Sequence, residues 1–209
     1  MRGTTQSRRD GFTWNGTLAA IGASAGGVEA LMIVVKGFPA ACPATLIVQH
    51  IPAGFVSGFA KHLNEACPAR VCEAYDAAPL APGIVYIAPA DRHLEVFDGP
   101  SGWSCLLRDS EPVNGFRPSV DVLFNSVARA AGSRAVGVIM TGMGRDGAEG
   151  LMKMREVGAV TLGQDRRTST VYGMPKVAFE SGAVERQVSL RGIAPAILDI
   201  CNARLTENR

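Results

Sequence analysis

Residues Leu18 to Gly27 read LAAIGASAGG, a short apolar run that ends in a glycine-rich corner with Ser24 at its centre. An apolar run of about half a dozen residues has the length of a buried parallel strand, and the glycines that follow indicate a tight turn into a helix. In open α/β sheets, ligands bind in the crevice outside the carboxyl ends of the strands. The stretch therefore predicts a parallel α/β fold with Ser24 at its binding edge, as a candidate nucleophile.

The rest of the chain alternates between apolar runs and helical patterns. A predicted helix at 28–36 leads to a strand at 45–49, and such a strand–helix–strand unit is a right-handed crossover with parallel strands. Two runs at 93–97 and 104–108, joined by DGPSG, predict an antiparallel hairpin appended to the sheet. We predict a doubly wound α/β domain with a mainly parallel sheet and helices on both faces. The other predicted strands are 71–73, 84–87, 135–140 and 159–163, and the other predicted helices are 55–65, one between Ser119 and Gly132, 148–157, 175–181 and 193–203.

The composition is that of one globular domain. The 209 residues are 47% hydrophobic and 19% charged, which allows a large core and excludes a disordered chain. Residues 1–15 are polar and lack periodicity, so they predict an N-terminal tail before one domain at 16–204. A formal net charge of +2 gives no excess of basic residues of the kind that binds nucleic acid. No apolar stretch has the length of a transmembrane helix. We expect a soluble cytoplasmic protein without nucleic-acid binding or membrane insertion.

The five cysteines and three histidines argue against disulfides and metals. An odd number of cysteines without a CxxC pair is typical of a reducing compartment, and the histidines are too scattered for a zinc site. A dinucleotide cofactor is disfavoured because Ser24 stands where the GxGxxG fingerprint needs glycine. We expect free thiols, no metal and no cofactor.

Three polar residues, Ser24, His50 and Asp146, follow three different predicted strands. Parallel strands share their carboxyl ends, so all three are predicted at one edge of the sheet. A serine hydroxyl needs an imidazole to take its proton, and a carboxylate holds that imidazole in the right tautomer. The placement predicts a hydrolase triad. Taken singly, Ser24 and Asp146 are also explained as helix caps, and His50 as a buried structural histidine.

Backbone groups near Ser24 are predicted to serve the same chemistry. The glycines leave the backbone open to substrate, and N–H groups at the start of a helix bind an oxyanion. We expect Ala25 and Gly26 to line this site, with a second donor from the turn at Met143. The match of residues 22–26 to the esterase elbow GxSxG is misleading, because α/β-hydrolases place the triad in the order Ser, Asp, His.

Five stretches together resemble the catalytic domain of CheB, the chemotaxis protein-glutamate methylesterase. They are IGASAGG, VQHIPAGF, EPVNGFRPSVDVLF, GVIMTGMGRDGAEG and VYGMP, and the resemblance covers residues 16–201. It implies that Ser24 is the nucleophile, His50 the base and then the acid, and Asp146 the orienting carboxylate. It also implies that the backbone N–H of Met143 is an oxyanion donor.

The resemblance also implies a substrate and a partner. The family hydrolyses γ-glutamyl methyl esters on the cytoplasmic helices of chemoreceptors and releases methanol, and some members also deamidate receptor glutamines. By position in family stretches near the cleft, Asn114, Arg117 and Met174 are expected to border the substrate groove, with Arg117 facing the acidic surface of a receptor helix. Family members commonly carry a receiver domain, for which residues 1–15 are too short. The chain is therefore expected to be either a catalytic fragment or a stand-alone esterase controlled by a separate regulatory protein.

Two alternatives remain open from the sequence. The first is a receptor-binding adaptor that has lost turnover. The second is a serine hydrolase of small molecules on the same scaffold.

Overall fold

The computed structural model describes residues 12–202, which contain nine strands and six helices. The strands are β1 (Leu18–Ala23), β2 (Thr45–Gln49), β3 (Arg70–Glu73), β4 (Ile84–Ile87), β5 (His93–Gly99), β6 (Gly102–Arg108), β7 (Ala135–Ile139), β8 (Val160–Gln164) and β9 (Arg186–Val188). The helices are α1 (Gly27–Lys36), α2 (Ala53–Ala66), α3 (Val120–Ala131), α4 (Ala148–Glu156), α5 (Met174–Glu180) and α6 (Leu190–Cys201).

Strand β1 lies in the middle of a seven-stranded sheet with the order β3-β4-β2-β1-β7-β8-β9. All its strand pairs are parallel, and β1 pairs with both β2 and β7. The chain first places β2, β3 and β4 on one side of β1, with β3 at the edge, and then crosses to β7 to build the other half. The switch point of the topology therefore lies between β1 and β7, where a ligand crevice is expected in this class of fold. The predicted doubly wound fold is confirmed.

The apolar pattern of β1 follows from burial on both faces of the sheet. Leu18 and Ala20 pack in the core beneath α3 and α4, whereas Ala19 and Ile21 pack beneath α1 and α6. A strand covered on both faces has no solvent side, so its sequence is apolar throughout rather than alternating. Burial on both faces therefore explains why the apolar run of β1 predicts a central parallel strand.

Close packing at the end of β1 requires a glycine. A Cβ on Gly22 would overlap the side chain of Val120, the first residue of α3. Only a residue without a side chain lets α3 begin directly against the edge of the sheet. This contact sets where the N-terminus of α3 lies relative to β1.

The predicted antiparallel hairpin is confirmed, whereas the start of α6 differs from the sequence prediction. The β5–β6 hairpin is a separate two-stranded sheet, which packs on α3 through a hydrogen bond from Val96 N to Ser126 Oγ. Helix α6 begins at Leu190, three residues before the predicted start, although Pro195 lies inside it and cannot donate a helical hydrogen bond. The last predicted residue of that helix, Ala203, lies outside the described residues.

The packed domain also includes part of the predicted tail. Asn15 N donates to Cys201 O at 3.0 Å, and Thr13 N donates to Asn202 Oδ1 at 2.9 Å. Residues 12–15 are thus joined to the end of α6, and residues 1–11 lie outside the described part of the chain. Between residues 12 and 202, no helix is both long and apolar enough to cross a bilayer.

Candidate active site

Ser24 and His50 lie side by side where β1 and β2 end. The strand register pairs Ala23 with Gln49, so Ser24 and His50 occupy the next positions along the two strands. His50 N donates to Ala23 O at 3.1 Å, and Ser24 N donates to Thr141 O beyond the end of β7 at 3.0 Å. The backbone of Ser24 is therefore fixed between the extensions of its two neighbouring strands, at the predicted edge.

The turn after Ser24 presents free backbone donors. Gly26 has φ of 75°, a left-handed conformation that favours glycine, and it directly precedes α1. The Ser24 carbonyl accepts from Gly27 N and Gln49 Nε2, both at 2.8 Å. Among residues 12–202, the N–H groups of Ala25 and Gly26 find no acceptor. These two groups are available to an anion beside Ser24.

His50 is held by a carboxylate and by an aromatic ring. Its Nε2 lies 2.9 Å from Asp146 Oδ2, and its ring stacks on Phe116 with 3.8 Å between centroids and 3° between planes. Its Nδ1 is buried and has no hydrogen-bond partner within the described residues. An ionised carboxylate only accepts, so a neutral His50 donates Nε2–H to Asp146 and keeps the Nδ1 lone pair free. Nδ1 is thus the basic nitrogen of this site.

Asp146 lies buried against the N-terminus of α3. Oδ2 accepts from Val120 N at 2.7 Å, while Oδ1 accepts from Ser119 Oγ at 2.7 Å and from Asp121 N at 3.2 Å. Unpaired N–H groups and the helix dipole make such a terminus a favourable place for negative charge. The start of α3 thus supplies three donors to Asp146, whose other two contacts are His50 Nε2 and, at 3.2 Å, Asn114 Nδ2.

The pKa of Asp146 is the balance of opposing effects. Burial raises it, but hydrogen bonds from His50, Ser119 and the α3 backbone outweigh burial and lower the pKa from 3.8 to about 2. Asp146 is consequently ionised at neutral pH. It can orient the His50 ring and stabilise the imidazolium that forms when Nδ1 takes a proton.

The Ser24 hydroxyl makes no hydrogen bond within residues 12–202 in this conformation. The structure thus brings His50 and Asp146 into direct contact, and it brings Ser24 beside them through the backbone and the strand register. No three His, Cys, Asp or Glu side chains in the described part of the chain are grouped to hold a metal ion.

The turn at Met143 lies on the other side of Ser24. A Cβ on Gly142 would lie 2.8 Å from Ser24 Cβ, and the Gly142 carbonyl accepts from Gly173 N and Met174 N. Met143 is 73% exposed, and its N–H has no acceptor among residues 12–202. The turn is thus fixed by its backbone and leaves the Met143 N–H without an acceptor, while its role as an oxyanion donor stays a prediction.

The three residues expected to border the groove have different surroundings. Met174 is fully buried against Gly142, so its side chain supports that turn and does not line an open groove. Arg117 Nη1 donates to Asp109 Oδ1 at 2.8 Å and to Ser110 O at 3.0 Å, which ties it to its own loop. Asn114 directs its amide to two buried carboxylates rather than to solvent.

The sequence does not predict the hydrogen-bond donors that surround Asp146. Ser119 occupies the N-cap position of α3, yet its hydroxyl donates to Asp146 and makes no capping bond. Asp121 is only 4% exposed and accepts from Gly150 N at 2.7 Å. Burial raises the pKa of Asp121, and the nearby charge of Asp146 adds to this effect. An acidic residue in a first helical turn is ordinarily exposed, so its sequence position gave no signal of burial.

A shallow cavity of about 250 Å³ lies directly beside His50. It is lined by His50, Ile51, Pro52, Phe116, Arg117 and Pro118. A larger cavity of about 980 Å³ lies between β9 and α6 and contains none of the candidate residues. Size alone therefore does not locate the site; the paired His50 and Asp146 do.

With this geometry established, similarity to known proteins decides the family. Residues 19–197 match the CheB methylesterase family. The chain belongs to that family. The crystal structure of the Thermotoga maritima CheB methylesterase catalytic domain is similar with a TM-score of 0.87 and 33% identity, covering 89% of this chain and 99% of that one.

Longer CheB relatives are similar in sequence. The protein-glutamate methylesterase/protein-glutamine glutaminase 1 of Caulobacter vibrioides is 56% identical over 199 residues, which cover 95% of this chain and 58% of the relative. Its namesake from Rhizobium johnstonii is 57% identical over 188 residues, which cover 90% of this chain and 54% of the relative. The chain thus spans little more than half the length of these CheB proteins.

Proposed function

We propose that this chain is a serine esterase that hydrolyses glutamate γ-methyl esters on chemoreceptors and releases methanol. The observation that carries the proposal is the buried His50–Asp146 pair, which leaves Nδ1 free beside Ser24 at the switch point of a CheB-family fold. The names of the Caulobacter and Rhizobium relatives support the same substrate class. We further propose the cytoplasmic helices of chemoreceptors as its partner and the cytoplasm as its location.

In this mechanism Ser24 Oγ attacks the ester carbonyl after rotating toward His50. Nδ1 of His50 takes the hydroxyl proton while Nε2–H keeps its hydrogen bond to Asp146, so the ring keeps one orientation throughout. The N–H groups of Met143 and of the Ala25–Gly26 turn stabilise the oxyanion of the tetrahedral intermediate. His50 then returns the proton to the departing methoxide, which leaves as methanol.

Water completes the cycle. It loses a proton to Nδ1 and attacks the glutamyl ester on Ser24. The bond between the acyl carbon and Ser24 Oγ then breaks, Nδ1 returns its proton to Ser24 Oγ, and the receptor keeps a glutamate carboxyl group. An amide forms the same intermediate, and ammonia then takes the place of methanol as the leaving group. We therefore include deamidation of receptor glutamines in the proposal, which the second half of the relatives' name supports.

The two alternatives are less well supported. A receptor-binding adaptor has no need of a buried histidine–carboxylate hydrogen bond that leaves a basic nitrogen unpartnered beside a serine. A hydrolase of small molecules would use the same triad, but the family match favours a protein substrate. Control of the activity by a separate regulatory protein remains part of the proposal.

The test is methanol release from methylated receptor membranes by the wild type and by Ser24→Ala. We expect the variant to lose turnover by about three to six orders of magnitude. Ser101→Ala, on the exposed β5–β6 turn, is the matched control and should keep full activity. Near-normal methanol release by Ser24→Ala would refute the assignment of Ser24 as the nucleophile. Turnover of simple acyl esters without methanol release from receptor would refute the proposed receptor substrate.

A further inference from the structure

A loop at residues 109–118 covers the His50–Asp146 pair, and it does more than exclude solvent. Phe116 stacks on His50, while Asn114 Nδ2 reaches Asp146 Oδ1 at 3.2 Å and Asp121 Oδ2 at 2.7 Å. We infer that Asn114 is a positioning residue whose amide ties Asp146 to Asp121 and so keeps Asp146 aimed at His50. The inference rests on the proposed esterase mechanism and adds a residue to it.

The two carboxylates joined by this amide are both buried. Asp146 is 1% exposed and Asp121 is 4% exposed. Two buried carboxylate charges repel each other more strongly than exposed ones, because the surrounding protein screens them less than water does. The Asn114 NH₂ group has two protons, and the geometry gives one to each carboxylate. Among the described residues, it is the one side chain that donates to both.

Three of the other donors to Asp146 come from a single element. Ser119 and the N–H groups of Val120 and Asp121 all belong to the start of α3, so they hold the carboxylate against that helix. The amide of Asn114 approaches from the loop and, together with His50, gives Asp146 a contact that does not come from α3. Asp121 in turn is anchored on Gly150 N of α4. Through Asp121, which is itself in the first turn of α3, the amide links Asp146 to the start of α4 as well as to the loop.

The backbone at Asn114 suits this role. Its φ is 54°, a left-handed conformation that asparagine tolerates better than most residues. Val113 and Phe116 exchange two backbone hydrogen bonds at 2.9 and 3.0 Å across the turn. The loop is further held by buried His93, whose Nε2 lies 3.1 Å from Glu111 O. The amide is therefore presented from a fixed turn, although the residue itself is largely exposed.

Loss of the Asn114 amide changes the electrostatic potential at His50 in a definite direction. Without its N–H dipole, the negative potential at His50 increases, which favours the protonated imidazole and removes the base at a given pH. The charged or titratable groups on the surrounding elements are Asp121 on α3, His93 on β5, Asp109, Glu111 and Arg117 in the loop, and Arg145 and Glu149 at the start of α4. None of these changes in the single variants below.

The decisive variant is Asn114→Gly, because glycine keeps the left-handed backbone and deletes only the amide. We expect kcat for methanol release to fall about 10- to 100-fold with KM unchanged, the scale of a hydrogen bond to a charged group. The acidic limb of the pH–rate profile should move to higher pH. Asp91→Gly is the matched control, since Asp91 is also left-handed with φ of 59° and is exposed. It should leave both readouts unchanged.

Asn114→Asp is a stronger, nearly isosteric variant. It replaces the shared donor by a third carboxylate, so the acidic limb should move up by about one pH unit and activity should partly recover when the pH is raised. A loop with a merely structural role would lose activity equally at all pH values. That outcome, or wild-type kinetics in Asn114→Gly, would overturn the inference.

A swap and a titration complete the test. Asn114→Asp combined with Asp121→Asn restores one amide–carboxylate pair, and it should recover at least part of the kcat lost in Asn114→Asp; no recovery would contradict the inference. NMR titration of the His50 ring needs no turnover. Failure of the wild type to release methanol would refute the proposed function alone, whereas an unmoved His50 titration midpoint in both Asn114 variants would refute the positioning role.

Discussion

Asp146, just before α4, accepts backbone N–H groups from α3, and Asp121, in the first turn of α3, accepts a backbone N–H from α4. Asp146 lies two residues before α4 and accepts from the first turn of α3, while Asp121 lies in that first turn and accepts from Gly150 N of α4. Each carboxylate therefore satisfies orphan donors at a foreign helix N-terminus, where negative charge is favoured. The reciprocal contacts join α3 to α4 at the place where the active site needs an ionised aspartate.

This arrangement predicts a pH-dependent stability. The pKa of Asp146 is lowered to about 2 in the folded chain, from an ordinary value of 3.8. Its stabilising contribution is present above the ordinary value and is lost as the pH falls through about 4 towards 2. The expected contribution at neutral pH is about 2 kcal/mol. Asp121, whose pKa is raised, acts in the opposite sense, and its contribution is lost as the pH rises above 3.8.

The measurement is urea unfolding of the wild type and Asp146→Asn at neutral and at low pH. We expect the difference in unfolding free energy to be large at neutral pH and to shrink by about 2 kcal/mol near pH 2. Asp98→Asn, at an exposed position of β5, should show no such change. A difference that is independent of pH would show that the Asp146 charge does not stabilise the fold.

His50→Ala tests the base separately from the nucleophile. Because Nδ1 is the free basic nitrogen, loss of the ring should lower methanol release by about three to six orders of magnitude. The exposed His62→Ala on α2 serves as its control and should retain activity. Substantial turnover by His50→Ala would assign the base to another group.

The strand ends were predictable from the sequence, whereas the support of Asp146 was not. Ser24, His50 and Asp146 each follow an apolar run, and parallel strands bring such residues to one edge without any knowledge of side-chain contacts. Asn114, Ser119 and Asp121 depend on where α3 begins against β1, which is a tertiary fact. Local rules instead assign a serine before a helix to a cap and an exposed loop asparagine to a turn.

The stacking of Phe116 on His50 predicts a smaller effect on turnover. Parallel aromatic contacts contribute about 0.5–1.5 kcal/mol, so Phe116→Leu should reduce kcat about 2- to 10-fold by loosening the ring. Phe97→Leu, at a half-exposed position of β5, is the control. Steady-state methanol release is the measurement, and unchanged kcat in Phe116→Leu would show that Asp146 alone holds the ring.

The approach of α3 to β1 predicts an unusually sensitive glycine. A Cβ on Gly22 would overlap Val120, whose N–H donates to Asp146, so Gly22→Ala should displace the start of α3 and with it the carboxylate. Overpacking of this kind costs about 1–3 kcal/mol, and turnover should fall together with thermal stability. Gly54→Ala, in α2 with open space around it, should be neutral or slightly stabilising because alanine favours a helix. If Gly22→Ala kept both stability and turnover, the N-terminus of α3 would not be the element that places Asp146.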